Sequence, residues 1–322
     1  MIILEDRPDS SSGGSELSLL DLAKRSPKPV RLLYRNPGDL LPRYQAAGCD
    51  LVPVRIKNYR LAESLKYLLK EGDVGDDIIY VNHYHYLMFA VLKKILYGGQ
   101  IFCHLRLPPL DNFGLQLQLA FKFVDQFIVV SDFTKRQWQS QLGGANYTTV
   151  HNGVEVEDFP FKVTRFPEPT VFFASRNVPY KGLNTLIRAF EYLPENYKLF
   201  VLGDYKQPST ERIRFLGHIG RRQLPQIMAK CHLAVMPSEW PEPFGRVLIE
   251  AMACDVPAIG TAVGGIPEVV IDQSHLFSPN NPYRLAEKIQ QKIFSSLNYR
   301  QYVQDNFDIN KQAKKIFRII YS

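Results

Sequence analysis

Glu242 and Glu250 stand with seven residues between them in the stretch SEWPEPFGRVLIEAMACDVPAIGTAVGGIPE, which runs from Ser238 to Glu268. Pro241 and Pro243 flank the first of them. A residue before proline is driven toward extended backbone, so Glu242 is expected in a stiff loop. From Gly245 the pattern becomes helical, with Val247, Leu248, Ala251 and Met252 on one apolar side. Glu250 then lies inside the helix, about two turns beyond Glu242. A helix N-terminus offers backbone N–H groups and a positive dipole end, which suit a phosphate. One carboxylate before that end and one along the helix suit a ligand whose diphosphate joins two hydroxyl-rich sugars.

Such a ligand needs cations opposite. Arg176 closes the apolar run TVFFASR, and Lys181 with Gly182 opens the next helical pattern, within SRNVPYKG. At the carboxyl edge of a parallel sheet, both side chains would project toward the crevice where ligands of such sheets bind. There, two cations can neutralise a diphosphate leaving group. The plainer reading of either one alone is a solvated surface charge. Sharing an edge with Glu242 and Glu250 is what favours a site.

The elements that must hold these residues alternate from the first residue onward. Strands are expected at Ile2–Glu5, Val30–Tyr34, Leu51–Ile56, Ile78–Val81, Gln100–His104 and Phe127–Ser131. Helical patterns lie between them, at Ser15–Lys24, Arg60–Glu71 and Thr134–Leu142 among others. A linker with three prolines is read over His151–Pro169. The alternation then restarts with strands at Thr170–Ser175, Lys198–Gly203, Ile213–Leu216, Leu233–Pro237 and Pro257–Gly260. Helices are expected at Lys181–Tyr192, Arg222–Lys230, Gly245–Cys254 and Tyr283–Ser295. Strict alternation implies parallel sheets covered on both faces. The expected fold is α/β: two Rossmann-like, doubly wound domains, residues 1–155 and 165–304, facing across a cleft.

Bulk properties agree with this size. The 322 residues exceed one ordinary core, and 45% hydrophobic with 22% charged residues is a globular composition. A net charge of +7 is compatible with anionic small ligands, and no arginine-rich tract or zinc-finger spacing points to nucleic acid. No apolar run is long enough to span a bilayer. The chain opens MIILEDRPDS, without a basic, apolar leader, and Cys49, Cys103, Cys231 and Cys254 lack metal-like spacing. The cytoplasm is the expected compartment. Arg55, Lys57, Arg60, Lys66 and Lys70 could make a basic face for peripheral contact with its membrane, although a solvated helix face is the simpler reading.

Other motifs are weaker. Asp9–Glu16 carries Gly13-Gly14 after the first strand, where a backbone could approach an anion, but it has neither dinucleotide-fingerprint nor P-loop spacing. His104 ends the strand QIFCHLR. His83 and His85 lack a third ligand at suitable spacing, and no Asp-x-Asp triplet occurs, so no metal is assigned.

Taken together, Gly13-Gly14, VHNGV, SRNVPYKGLNTLIRAF, FLGHI and MPSEWPEPFGRVLIEAMACDVPAIGTAVGGIPEVV resemble the retaining glycosyltransferases of family 4, which have the GT-B fold. The resemblance covers most of the chain and is densest from Arg176 to Val270. It implies that Arg176 and Lys181 bind the donor diphosphate, Glu250 the ribose hydroxyls and Glu242 the transferred sugar. It implies backbone contacts to sugar and phosphate around Phe244, Gly245, Val247 and Leu248, and base reading near Ile219. Gly14 corresponds to the glycine loop over the diphosphate, and His104 to a histidine near the reacting sugar. A final helix, 305–322, would return to the first domain. Where relatives often have Gly-x-Gly after the second strand of the second domain, this chain has Gly203-Asp204-Tyr205.

The expected function is retaining, metal-independent transfer of a hexose, glucose or a close relative. The donor is a UDP-sugar and the acceptor a saccharide or lipid-linked saccharide, in polysaccharide or glycoconjugate synthesis. The nucleotide sugar is a substrate, and no cofactor is expected. Alternatives are a silent sugar-nucleotide-binding partner, or an epimerase or phosphorylase on the same fold.

Overall fold

The computed structural model describes residues 1–9, 14–56, 59–75, 77–109, 113–144, 146–217, 219–220, 223–294 and 296–322. The chain divides into two compact units, Met1–Asn152 with Asn310–Ser322, and Gly153–Ile309.

The first unit alternates β1 (Ile2–Glu5), α1 (Gly14–Ala23), β2 (Arg31–Tyr34), α2 (Leu41–Ala46), β3 (Asp50–Pro53), α3 (Leu61–Glu71) and β4 (Ile78–Val81). It continues through α4 (Leu87–Tyr97), β5 (Gln100–Leu105), α5 (Leu115–Phe121), β6 (Gln126–Val129), α6 (Asp132–Leu142) and β7 (Tyr147–Thr149). The seven strands are ordered β3-β2-β1-β4-β5-β6-β7. Every pairing is parallel, as in Ile3 opposite Leu32 and Leu4 opposite Val81. Successive strand residues point to opposite faces, so Ile2 and Leu4 join one core with Phe89 and Trp138, while Ile3 joins another with Leu19 and Tyr44.

The second unit runs β8 (Thr170–Ala174), α7 (Leu183–Ala189), β9 (Lys198–Leu202), β10 (Ile213–Gly217), α8 (Leu224–Met228) and β11 (Leu233–Met236). After these come α9 (Arg246–Ala253), β12 (Ala258–Thr261), β13 (Leu276–Phe277), α10 (Pro282–Lys292) and α11 (Tyr299–Asn306). Its six strands are ordered β10-β9-β8-β11-β12-β13, again all parallel. The last helix, α12 (Ile309–Ile320), lays Ala313, Ile316, Phe317 and Ile320 into the same core as Leu19 and Ile3 of the first unit.

The expected doubly wound sheets are present, with local differences. Residues read as a linker are held down in the second unit: Arg300 donates to the carbonyls of Val156, Phe159 and Ala253 and stacks 4.2 Å from the Phe161 ring. Lys181 does not open α7. It ends a 3-10 turn, Pro179–Lys181, and Gly182 follows in the left-handed region at φ 75° before the helix starts. A Cβ there would come within 1.9 Å of the Pro237 carbonyl oxygen, which makes the glycine obligatory. The segments expected at Arg222 and Ser295 fall partly outside the described residues, as do Lys57 and Gly13. All four cysteines are free and buried. Among the described residues no helix is long and apolar enough to cross a membrane. Arg55, Arg60, Lys66 and Lys70 are exposed, but Lys70 pairs with Glu71 at 2.9 Å, giving that face mixed charge.

Candidate functional site

In an open parallel sheet, ligands bind beyond the carboxyl ends of the strands where the strand order reverses. In the second unit that point lies between β8 and β11, since β9 and β12 extend the sheet to opposite sides. Arg176 stands two residues beyond β8, and Ser238 and Glu242 follow β11. The residues chosen from sequence for their chemistry therefore fall at the edge where the topology predicts a ligand.

Lys181 and Glu242 form an ion pair between Nζ and Oε1, with side chains only 17% and 11% exposed. Ser238 Oγ lies 3.0 Å from the same carboxylate oxygen, and also 3.1 Å and 3.3 Å from the carbonyls of Trp240 and Tyr180. A hydroxyl has one proton to give, and the ionised acceptor makes the stronger bond. The Tyr180 carbonyl also accepts from the Glu239 N–H at 2.9 Å, so the turn carrying Lys181 is stitched to the loop carrying Glu242. Thr261 Oγ1 donates to the Ser238 carbonyl at 2.7 Å, tying that loop to β12. Glu239 accepts from Thr185 at 2.9 Å and, with the Asn280 amide oriented to place its nitrogen toward the carboxylate, from Asn280 at 2.6 Å, which braces the loop from α7 and from the segment after β13.

The backbone of Glu242 is fixed by the glycines that end the opening motif. The Gly265 N–H donates to the Glu242 carbonyl at 2.7 Å. Gly264, at φ 62°, packs so closely that a Cβ would lie 2.2 Å from the Glu242 oxygen. Gly245 caps α9 at φ 109°, a conformation open to glycine. Phe244 is buried against Phe307, with ring centroids 5.8 Å apart, and so anchors the turn before the helix. Leu248 is fully buried and gives its N–H to the Gly245 carbonyl at 3.0 Å, while Val247 is half-buried one residue earlier. Glu250 accepts from Arg246 Nε at 2.8 Å across one turn of α9, both side chains being 15% exposed.

Arg176 differs from Lys181. It is exposed, and its guanidinium has no hydrogen-bond or ion-pair partner among the described residues. Its main chain is fixed all the same: Tyr205 OH donates to its carbonyl at 3.0 Å, and Ser175 Oγ reaches the same oxygen at 2.9 Å. Gly203 sits at φ 134°, where a Cβ would come within 2.1 Å of the Ser175 carbonyl oxygen. The departure at Gly203-Asp204-Tyr205 thus keeps the glycine that permits close approach and uses Tyr205 to brace the end of β8. Ile219 lies half-buried two residues past β10, and its neighbour His218 lies outside the described residues.

In the first unit, Gly14 starts α1 and is exposed. His104 is 2% exposed, on the face of β5 shared with Tyr80, whose hydroxyl lies 2.5 Å from Nδ1. Burial, with Arg106 and His83 nearby, holds its pKa well below that of a free histidine, so the ring is neutral. Nδ1 is engaged by the Tyr80 hydroxyl, and Nε2 is buried with no hydrogen-bond partner among the described residues. His83 and His85 do not pair: His85 is exposed, while His83 turns toward Glu5 and Glu16. Burial pushes the Glu5 carboxyl up to about 7.

Sequence reading missed Ser238, Arg246, Gly264 and Gly265 as positioning residues. Gly264-Gly265 lay inside the motif, and two adjacent glycines before a proline-containing turn were the available signal.

Residues 156–307 match the model of glycosyl transferases group 1, and residues 12–158 match that of Glycosyltransferase Family 4. An uncharacterised glycosyltransferase of Methanocaldococcus jannaschii is 34% identical over 187 residues, covering 52% of this chain and 50% of the relative. A D-inositol 3-phosphate glycosyltransferase of Xylanimonas cellulosilytica is 35% identical over 119 residues, covering 32% of this chain and 28% of the relative. The aligned part thus spans half or less of these relatives' lengths. Among solved structures, HepE of Anabaena in complex with UDP and glucose superposes with a TM-score of 0.81 at 21% identity, covering 99% of this chain and 98% of that one. Sucrose-phosphate synthase of Thermosynechococcus elongatus gives 0.80 at 20% identity, with 99% and 98% covered. The fold is GT-B, and the homologues are glycosyltransferases.

Proposed function

We propose that this chain, GT-B in fold and similar in sequence to family 4 glycosyltransferases, moves a hexose from a UDP-sugar to a saccharide or lipid-linked saccharide with retention of configuration. The observation that carries the reading is the Lys181–Glu242 pair, supported by Ser238, at the β8–β11 switch point. It sets a cation for phosphate beside a carboxylate for sugar hydroxyls. That HepE was crystallised with UDP and glucose supports a UDP-linked glucose as the first donor to try.

On this reading Lys181 and Arg176 take the charge of the departing diphosphate, so transfer needs no essential metal. The diphosphate itself accepts the proton of the acceptor hydroxyl on the face it leaves. What the protein supplies is positioning and charge stabilisation. Glu242 holds the transferred sugar and Glu250 the ribose, with Arg246 fixing the Glu250 carboxylate. Phe244, Gly245, Val247 and Leu248 shape the turn that meets sugar and phosphate. Ile219 reads the base, and Gly14 belongs to the glycine turn near the diphosphate. His104, whose Nε2 has no hydrogen-bond partner among the described residues, is assigned to a hydroxyl of the reacting sugar. The first unit is the acceptor side and the second the donor side of this scheme.

The test is release of UDP from a panel of UDP-sugars, with and without saccharide acceptors. Turnover that Glu242→Ala abolishes is expected. Full activity of Glu242→Ala with every donor would overturn the assignment, and tight binding with no turnover would favour the silent binding partner. Arg176→Ala should lower kcat/KM by about 100-fold, as for loss of one charge-stabilising donor. Because that guanidinium is exposed and unpartnered among the described residues, its loss should leave the thermal midpoint within about 1 °C. A large drop in the midpoint would show that Arg176 is structural.

A further inference from the structure

The first sheet has its own switch point, between β1 and β4, and three side chains converge there. Glu5 ends β1, Glu16 lies in the first turn of α1, and His83 stands two residues beyond β4. One carboxylate oxygen from each glutamate and one ring nitrogen of His83 lie within 4.8 Å of one another. His83 Nε2 is 3.4 Å from Glu16 Oε1. The glutamates are 2% and 6% exposed.

Two carboxylates in a buried place repel unless positive charge or protons intervene. His83 can bring at most one charge against two. Glu5 Oε1 is already satisfied, accepting from the Asp6 N–H at 2.9 Å and from Tyr86 OH at 3.1 Å. Its second oxygen, Oε2, is buried with no hydrogen-bond partner among the described residues. A buried carboxylate oxygen left without a donor is costly, and it is the oxygen still available to the cluster.

We propose that Glu5, Glu16 and His83 bind one divalent first-row transition cation, of the Mn2+ or Zn2+ class. Two carboxylates with one imidazole form a mixed donor set that suits such ions. Ligand atoms about 2.1 Å from a tetrahedral ion stand about 3.4 Å apart. His83 and Glu16 already have that spacing, and Glu5 needs to close by little more than an ångström. The ion balances the two carboxylates, takes up Glu5 Oε2, and joins the end of β1 to the start of α1 and the segment after β4. It has no part in the sugar-transfer step proposed above, and it stands or falls separately.

The experiment uses the tag-free full chain, stripped with chelator, dialysed and titrated with MnCl2 alone while free Mn2+ is followed by electron paramagnetic resonance. Mn2+ also avoids confusion with the four buried thiols, which favour softer ions. One Mn2+ per chain is expected, displaced by ZnCl2, with a thermal midpoint that rises with ion concentration. Glu16→Gln and His83→Gln should each weaken binding by more than about 100-fold, beyond the range for loss of an outer-shell partner. Glu242→Gln, in the other unit, should leave it unchanged. No binding by the wild-type chain at millimolar Mn2+ overturns the proposal. So does equal binding by the two cluster variants. Should Glu16→Gln fail to fold, His83→Gln carries the test, since that side chain is 23% exposed.

Discussion

Lys181→Ala is expected to lower kcat/KM for the preferred UDP-sugar by about 1,000-fold, the upper range for removing one charge-stabilising donor. The same change should destabilise the fold by about 3 kcal/mol, because it strands the Glu242 carboxylate in a buried place with Ser238 as its remaining side-chain donor. These two effects have different origins, and a double-mutant cycle separates them. Removing both partners, in Lys181→Ala with Glu242→Ala, leaves no stranded charge. Most of the lost stability should return, to within about 1 kcal/mol of the wild type. Activity should not return, because the diphosphate still lacks its cation and the sugar now lacks its carboxylate. Chemical denaturation gives the first quantity and initial rates well below the thermal midpoint give the second. If the double variant recovered transfer along with stability, the pair would be a structural ion pair and the proposed roles would fail.

What sequence could show was set by distance along the chain. Glu242 and Glu250 are close neighbours in one stretch, and prolines and glycines punctuate the loop and helix that carry them. The parallel sheets were legible for the same reason, since each βα unit is a local pattern. The misses are of another kind. α4, with its near-continuous apolar run LMFAVLKKILY, lacks the polar face that marks a surface helix, and much of it is buried. β7 and β13 have three and two residues, too short to show a period. Lys181 was placed at the start of α7 because a left-handed Gly182 between turn and helix leaves no trace in the apolar spacing. His83 lacked a third ligand because its companions come from positions 5 and 16, which only the β1–β4 pairing brings near. Arg246 could have been found: it stands four residues before Glu250 on the same helix, a spacing that puts opposite charges in reach.

Gly264→Ala tests whether Glu242 is held by its side-chain partners alone or also by its backbone. The residue adopts φ 62°, which costs a side-chain-bearing residue about 1–2 kcal/mol by itself. A Cβ would also come within 2.2 Å of the Glu242 carbonyl oxygen and 2.6 Å of its nitrogen. These are backbone atoms, which cannot swing aside as the end of a long side chain can. The Gly265 N–H bond to the Glu242 carbonyl, at 2.7 Å, must stretch if the loops part. A loss of about 3 kcal/mol is expected, a fall in the thermal midpoint of about 6–12 °C for a unit of this size. Gly144→Ala is the control, since a Cβ there meets nothing within 4 Å, and its midpoint should barely move. The loops can relieve the contact only by displacing Glu242. A shift near 1 Å in a group that positions substrate costs about 100-fold in rate. Gly264→Ala should therefore lose that much kcat/KM even at temperatures where the chain is fully folded, although every polar side chain proposed for the site is intact. A variant that is less stable yet fully active would mean that the Glu242 loop tolerates movement and that sugar positioning rests elsewhere.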